Sequence, residues 1–222
     1  MTAGKSILIL GASRGIGLGL AEEFARRGWR VVGSERSPSE ALRALEAVEV
    51  VTADVTDPAS YAGLDLADGS LDAVLVNAGI MGARHQSADQ ASADEVAEVM
   101  MTNAFGPARA GRALLPKLKD GGTLAFMSSL MGSIADSSGG YDLYRGSKAA
   151  QNMLAKGIAE QDAKGRGIAV LSLHPGWVRT DMGGPNATLT VRDSARGLAD
   201  VIEASGGAGY RFVDYTGKAL PF

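Results

Sequence analysis

Seven short apolar runs, separated by longer stretches of helical period, constrain this chain more than any single motif in it. The runs are Ser6 to Leu10, Arg30 to Gly33, Val48 to Val51, Ala73 to Val76, Thr123 to Ser128, Ala169 to His174 and Tyr210 to Asp214. Their length and their polar or glycine-bearing flanks are those of strands. Between them, Gly17 to Arg27, Ala93 to Leu118 and Tyr144 to Asp162 carry apolar residues at helical spacing. Helical crossovers make the neighbouring strands parallel, because a tight hairpin cannot join parallel strands. Ile7-Leu8-Ile9-Leu10 and Ala73-Val74-Leu75-Val76 are apolar at every position, as strands covered on both faces must be. The expectation is an α/β chain with a doubly wound, mostly parallel seven-stranded sheet flanked by helices. The 222 residues suit one domain spanning 1–222, whereas a TIM barrel would need an eighth βα unit. The pairs Gly121-Gly122 and Gly206-Gly207 read as turns ahead of strands.

Several function classes are disfavoured by composition. The chain has no cysteine, which removes disulfides, thiol nucleophiles and thiolate metal sites and fits a reducing compartment. A net charge of −3 with dispersed Lys and Arg offers no basic stripe for nucleic acid. No stretch approaches the roughly 20 apolar residues of a membrane span, and no long apolar signal region opens the chain. A cytoplasmic protein is expected, with no membrane partner. His174 shares metal-ligand spacing with no second His, Asp or Glu, so no metal is expected. Asn186-Ala187-Thr188 reads as an exposed turn rather than a glycosylated one.

Chemistry enters at the turn after the first strand. Gly11, Gly15 and Gly17 surround Ala12, Ser13, Arg14 and Ile16 between a strand and a helical pattern. Glycine lets the backbone approach a pyrophosphate, and the helix N-terminus stabilises the anion. The same turn contains Gly11-Ala12-Ser13-Arg14-Gly15, the Gly-x-Ser-x-Gly elbow of α/β-hydrolases. That reading would make Ser13 a nucleophile with His85 or His174 as base. It is disfavoured because the hydrolase elbow follows several strands, not the first.

Tyr144 and Lys148 form the second constellation. Side chains four apart on a helix share a face, with Cβ atoms roughly 5–6 Å apart. A phenol of pKa ~10 needs help to donate a proton near neutrality, and a nearby ammonium provides it. Tyr144 is therefore a candidate general acid and base.

Taken in order along the chain, these motifs resemble the short-chain dehydrogenase/reductase family from end to end. The turn Gly11 to Gly17 resembles its coenzyme loop, Asp54-Val55 its adenine contact and Asn77-Ala78-Gly79 its fourth-strand signature. Asn103, Ser129, Tyr144 and Lys148 resemble its catalytic tetrad. Pro175, Gly176, Val178 and Thr180 fall in a segment that resembles its nicotinamide-side loop. The segments Met127-Ser128-Ser129 through Ser138-Gly139-Gly140-Tyr141 and Trp177 to Gly184, with the ending Tyr215 to Phe222, resemble the C-factor-like branch. The resemblance implies a Rossmann-type fold and hydride transfer between a nicotinamide and a small carbonyl or secondary alcohol. Tyr144 would act as acid and base, Lys148 would also hold the nicotinamide ribose, Ser129 the substrate oxygen, and Asn103 a water-linked proton path. Ser129 precedes Tyr144 by fifteen residues, two more than the spacing commonest in the family, so Ser128 and Ser133 compete for its role.

Coenzyme preference rests on the end of the second strand. Glu35 can accept from adenosine ribose hydroxyls and repel a 2′-phosphate, which favours NAD. Arg36 and Arg14 can pair with that phosphate, and the balance leans to NADP. Met131, Tyr141, Trp177 and Met182 are candidates for an apolar substrate wall, and the short segment Thr180 to Val191 for a small lid. The helices around Ala104 to Leu118 and Tyr144 to Asp162 resemble a dimerising pair, with Ala149, Ala150 and Leu154 as contact positions, so a homodimer or homotetramer is expected. The rival function is a C-factor-like signalling or coenzyme-sensing protein with little turnover.

Overall fold

The computed structural model describes residues 4–222. Its strands are β1 Ser6–Leu10, β2 Arg30–Glu35, β3 Val48–Thr52, β4 Leu71–Val76, β5 Leu118–Met127, β6 Ala169–His174 and β7 Gly209–Asp214. They form one sheet in the order β3-β2-β1-β4-β5-β6-β7, and every neighbouring pair is parallel. The helices are α1 Gly15–Arg26, α2 Glu40–Arg43, α3 Pro58–Ala62, α4 Ala93–Met100, α5 Gly106–Leu114, α6 Asp142–Ile158 and α7 Val191–Glu203. Among the described residues, no helix is long and apolar enough to cross a membrane.

The continuous apolar strands feed two cores at once. In β1, Leu8 and Leu10 join the core under α3, α5 and α6, while Ile7 and Ile9 join the core under α1, α2 and α7. The alternation repeats in β4, where Val74 and Val76 face one way and Ala73 and Leu75 the other. Side chains of successive strand residues point to opposite faces, so a strand buried on both sides needs no polar positions. Phe24, Phe126, Leu20 and Leu114 are among the largest fully buried side chains. Burying each contributes about 1.5–3 kcal/mol before conformational entropy is counted.

Two expectations are corrected. The helical pattern Ala93 to Leu118 is not one α-helix: α4 runs into a π-helical turn at Met101–Phe105, then α5, then a 3₁₀ turn at Leu115–Lys117. Gly106 explains the change of pitch. A Cβ there would stand 2.7 Å from the Val55 carbonyl oxygen and 2.5 Å from that of Met101, so the helix can press against the end of the β3 segment only without a side chain. The other correction concerns Gly121 and Gly122, which lie inside β5 rather than in a turn ahead of it. Gly121 takes φ +74° there, at the stretch where the β4–β5 register shifts.

Strand order reverses between β1 and β4. Ligands of open α/β sheets bind at such a switch point. The segments following β1, β4, β5 and β6 are those that carry Gly11, Asn77, Ser129 and Pro175.

Candidate active site

At the switch point the glycine turn is held by its neighbours rather than by itself. The Gly11 amide donates to Ser34 Oγ at 2.9 Å, and Asn77 Nδ2 donates to the Gly11 carbonyl at 2.7 Å. Gly11 has φ +91°, and a Cβ on it would stand 2.9 Å from the Ala78 nitrogen. Gly17 is tighter still, since a Cβ would fall 2.0 Å from the Gly11 oxygen and 2.6 Å from Asn77 Nδ2. Because the obstruction is backbone, Gly17→Ala is expected to destabilise the fold by about 3 kcal/mol. A urea midpoint equal to that of the wild type would contradict this.

α1 begins at Gly15 with Arg14 as its extended N-cap, no side-chain cap and no acidic residue in its first turn. Free N–H groups at that end suit an anion. Ser13 is tied back through its carbonyl, which accepts from Ser39 Oγ at 2.7 Å. Of the two histidines proposed as its base, His85 is engaged by Glu95 and the Ser87 amide. His174 is half-buried with Nδ1 unpartnered, and burial lowers its pKa. Nothing in these contacts builds the hydrolase arrangement.

Deeper in the site, α6 carries Tyr144 and Lys148 inward. Tyr144 is 8% exposed, and burial pushes its pKa up to about 12, opposed by a hydrogen bond from Ser129. Lys148 is 3% exposed, and burial pulls its pKa down to about 7. Its Nζ lies 5.8 Å from the Tyr144 ring centroid and donates to the Met127 carbonyl at 2.8 Å. Both groups are therefore held in their neutral direction by the protein itself.

Ser129 caps the 3₁₀ turn Leu130–Gly132 and accepts from the Met131 amide at 3.1 Å. Of its two competitors, Ser128 Oγ donates to Asn152 Oδ1 at 2.7 Å and Ser133 Oγ accepts from the Asp136 amide at 3.1 Å, but it is Ser129 that lies against the Tyr144 phenol. Asn103 is fully buried in the π turn. Its Oδ1 accepts from the Ile80 amide, and its Nδ2 donates to the Ile80 carbonyl and to Ser147 Oγ. Those contacts join the β4 loop to α6. A Cβ on Gly79 would lie 3.3 Å from Asn103 Oδ1 and 3.5 Å from Lys148 Nζ, so Gly79 stands beside both.

Farther out, Asp54 Oδ1 accepts from the amide and hydroxyl of Thr56, and Val55 is buried. The segment after β6 folds on itself: Trp177 Nε1 donates to the Gly183 carbonyl, and Val178 bridges Leu189. Thr180 reaches back toward the glycine turn, its Cγ2 lying 3.4 Å from where a Gly15 Cβ would be. Arg14 pairs with Asp181 at 2.6 Å with both side chains exposed.

At the end of β2, Glu35 is 2% exposed, and its carboxylate accepts from Arg43 Nε at 2.9 Å and from the Ser39 amide at 2.7 Å. The Arg43 guanidinium holds its pKa below the usual carboxylate range. Arg36, next along, is exposed. The acidic signal read from the sequence is thus matched by a cation eight residues on.

A profile of the family described as short chain dehydrogenase matches residues 5–188. The chain belongs to that family. Its similarity to the C-signal protein of Myxococcus xanthus is 42% identity over 162 residues, covering 69% of this chain and 94% of that protein. Among solved structures, this short chain dehydrogenase superposes with a TM-score of 0.93 on a short-chain dehydrogenase/reductase of Burkholderia multivorans with bound NADP. The two are 36% identical, over 99% of this chain and 100% of the other. A carbonyl reductase from Pseudomonas aeruginosa in complex with NADP gives a TM-score of 0.90 at 41% identity, over 99% of this chain and 100% of that one. These findings support the C-factor-like resemblance read from the sequence.

Two side chains of the site were not singled out in the sequence. Gln86 is buried at a left-handed φ of +55°. Its Oε1 accepts from the Tyr144 amide, and its Nε2 donates to the Met81 and Ala83 carbonyls. It stitches the loop after β4 to the first turn of α6, at a backbone cost of about 1–3 kcal/mol. The other is Gln151, one turn beyond Lys148, with Oε1 3.1 Å from Nζ. Its signal was a polar residue on the inward stripe of α6, seven after Tyr144.

Proposed function

We propose that this short chain dehydrogenase is an NAD(P)-dependent reductase of small aldehydes and ketones, running in reverse on secondary alcohols. The observation that carries the reading is the buried Tyr144–Lys148 pair with Ser129 beside the phenol, at the same sheet edge as an uncapped helix N-terminus. The residues fit the coenzyme: the uncapped first turn of α1 would hold its pyrophosphate, and Lys148, beside Gly79, would hold its nicotinamide ribose. A bound nicotinamide supplies or accepts the hydride, and in its oxidised form adds a positive charge to the site.

The chain's own residues handle the proton. Ser129 Oγ and the Tyr144 hydroxyl together hold the carbonyl oxygen, and Tyr144 donates its proton there as the carbon is reduced. The resulting phenolate is stabilised by the Lys148 ammonium and by Ser129. Asn103 fixes the β4 loop against α6 through Ile80 and Ser147 and so holds the spacing of the site. Tyr141, Trp177 and Met182 are exposed by 53%, 53% and 45%, and they supply an apolar wall on the open side of the site.

Coenzyme choice leans to NADP because Glu35 is neutralised by Arg43, which leaves the exposed Arg36 to face a 2′-phosphate, while Arg14 would exchange its Asp181 partner for that phosphate. Arg36→Ala is expected to lower the NADPH-over-NADH preference by about ten- to a hundredfold, the effect of losing roughly 1.5–3 kcal/mol of charged hydrogen bonding. An unchanged ratio of the two Kd values would refute the assignment. Phe105 in the π turn and Met153 on α6 are 43% and 72% exposed, apolar surface that a homodimer or homotetramer would cover.

The direct test records NADH and NADPH oxidation by the purified protein over a panel of aliphatic and aromatic aldehydes and ketones. Turnover with at least one class supports the reductase. Tight nicotinamide binding without turnover on any of them would favour coenzyme sensing, the reading that similarity to C-signal keeps in view.

A further inference from the structure

Lys148 has three N–H donors when charged, and the protein fixes two of them. One goes to the Met127 carbonyl at 2.8 Å and one to Gln151 Oε1 at 3.1 Å. Gln151 is 1% exposed and belongs to the same helical face as Tyr144 and Lys148. Its Nε2 is buried without a hydrogen-bond partner. A buried amide left in that state costs free energy that an apolar side chain of the same length would avoid. The contact its carboxamide does make is with Lys148. A side chain that destabilises the core and touches the ammonium is better explained by what it does to Lys148 than by packing.

We propose that Gln151 is a positioning residue for Lys148. With the Met127 carbonyl, it takes two ammonium protons from behind and leaves the third for the open side, where Gly79 and the Tyr144 ring stand. The proposal rests on the reductase reading, in which Lys148 acts on the ribose and the phenol. Gln151 also favours the charged lysine, since a carboxamide oxygen accepts from ammonium without adding a competing charge. This matters because burial alone pulls Lys148 down to about 7. The titratable group beside it on α6 is Tyr144, and the β5, β4-loop and π-turn residues facing it, Met127, Gly79 and Asn103, are uncharged.

The test uses Gln151→Leu and Gln151→Glu in the full chain. Three quantities are read: the Lys148 titration in the free protein by carbon-13 NMR of lysine ε-carbons, the coenzyme Kd, and kcat. Gln151→Leu is expected to change the denaturation midpoint little, because the unsatisfied Nε2 is gone while a Lys148 N–H loses its acceptor. Its Lys148 should titrate about one pH unit lower, its coenzyme Kd should rise about tenfold, and kcat should fall about tenfold. Gln151→Glu restores an acceptor and should move the titration above that of the wild type. If Gln151→Leu does not fold, Gln151→Met carries the same readouts. Titration, Kd and kcat all within twofold of the wild type, or the equivalent pH shift, would overturn the proposal. A shifted titration in a protein that binds no nicotinamide would instead sink the reductase reading and leave the Gln151 contact supported, because the titration is read without coenzyme or substrate.

Discussion

Tyr144→Phe is expected to lower kcat for carbonyl reduction by about 10³-fold while leaving the coenzyme Kd nearly unchanged. The substitution removes one oxygen and keeps the ring that packs in the core beside Lys148, so geometry and binding survive while the proton does not. The size of the effect follows from burial. A phenol pushed up to about 12 is a poor acid at rest, and the lowering it needs must come from charge that develops or binds next to it. No neighbouring group replaces it. Ser129 is an alcohol with a higher intrinsic pKa, and Lys148 is directed toward Met127 and Gln151. Ser129→Ala should give a smaller loss than Tyr144→Phe and should raise the phenol pKa further by removing its one favourable hydrogen bond. Retention of more than about a tenth of wild-type turnover by Tyr144→Phe would show that another group delivers the proton.

The sheet and the glycine turn were legible because they depend on local pattern. Ile7 to Leu10 reads as a doubly covered strand from its shortness and its glycine flank, and Gly11 and Gly17 read as a tight turn from their spacing. The pairing of Ser129 with Tyr144 was legible only to within a few residues, because Ser128, Ser129 and Ser133 are chemically alike. What separates them is the fold, which sets Ser129 against the Tyr144 phenol and Ser128 against Asn152 Oδ1. Glu35 was legible only in part, for a related reason. Its charge was visible, but its neutralisation by Arg43 depends on how the Ser39 turn folds α2 back against β2. Gln86 was hidden by its backbone: a left-handed glutamine has no sequence signature, and its role comes from joining two carbonyls of its own loop to the distant Tyr144 amide. The π turn at Asn103 likewise follows from contact between Gly106 and Val55, about fifty residues earlier, which no helical periodicity encodes.

Lys148→Met should abolish turnover and at the same time change the pH dependence of stability. Lys148 titrates near 7 when folded and near 10.4 when the chain is unfolded. Between those values the unfolded chain binds more protons than the native one, so wild-type stability rises with pH across that window and is flat below it. At its steepest the slope from this one group is about 1.4 kcal/mol per pH unit. Methionine fills nearly the same space and carries no proton, so the variant lacks that slope. It leaves the Met127 carbonyl and the Gln151 amide without their donor, a cost of about 1–3 kcal/mol each that is independent of pH. The sum at any single pH therefore depends on which cost dominates, but the difference between two pH values does not. Relative to wild type, Lys148→Met is expected to be more stable at pH 6 than at pH 9 by about 2 kcal/mol, roughly half the full linkage. The Tyr144 contribution has the opposite sign and enters only above about 10, because its raised pKa makes the native state hold the proton longer. Urea midpoints of both proteins across pH 6 to 9 measure the difference directly. Parallel profiles would mean that Lys148 stays protonated throughout, and that the site does not hold a lysine destabilised by burial in readiness for a negatively charged phenolate.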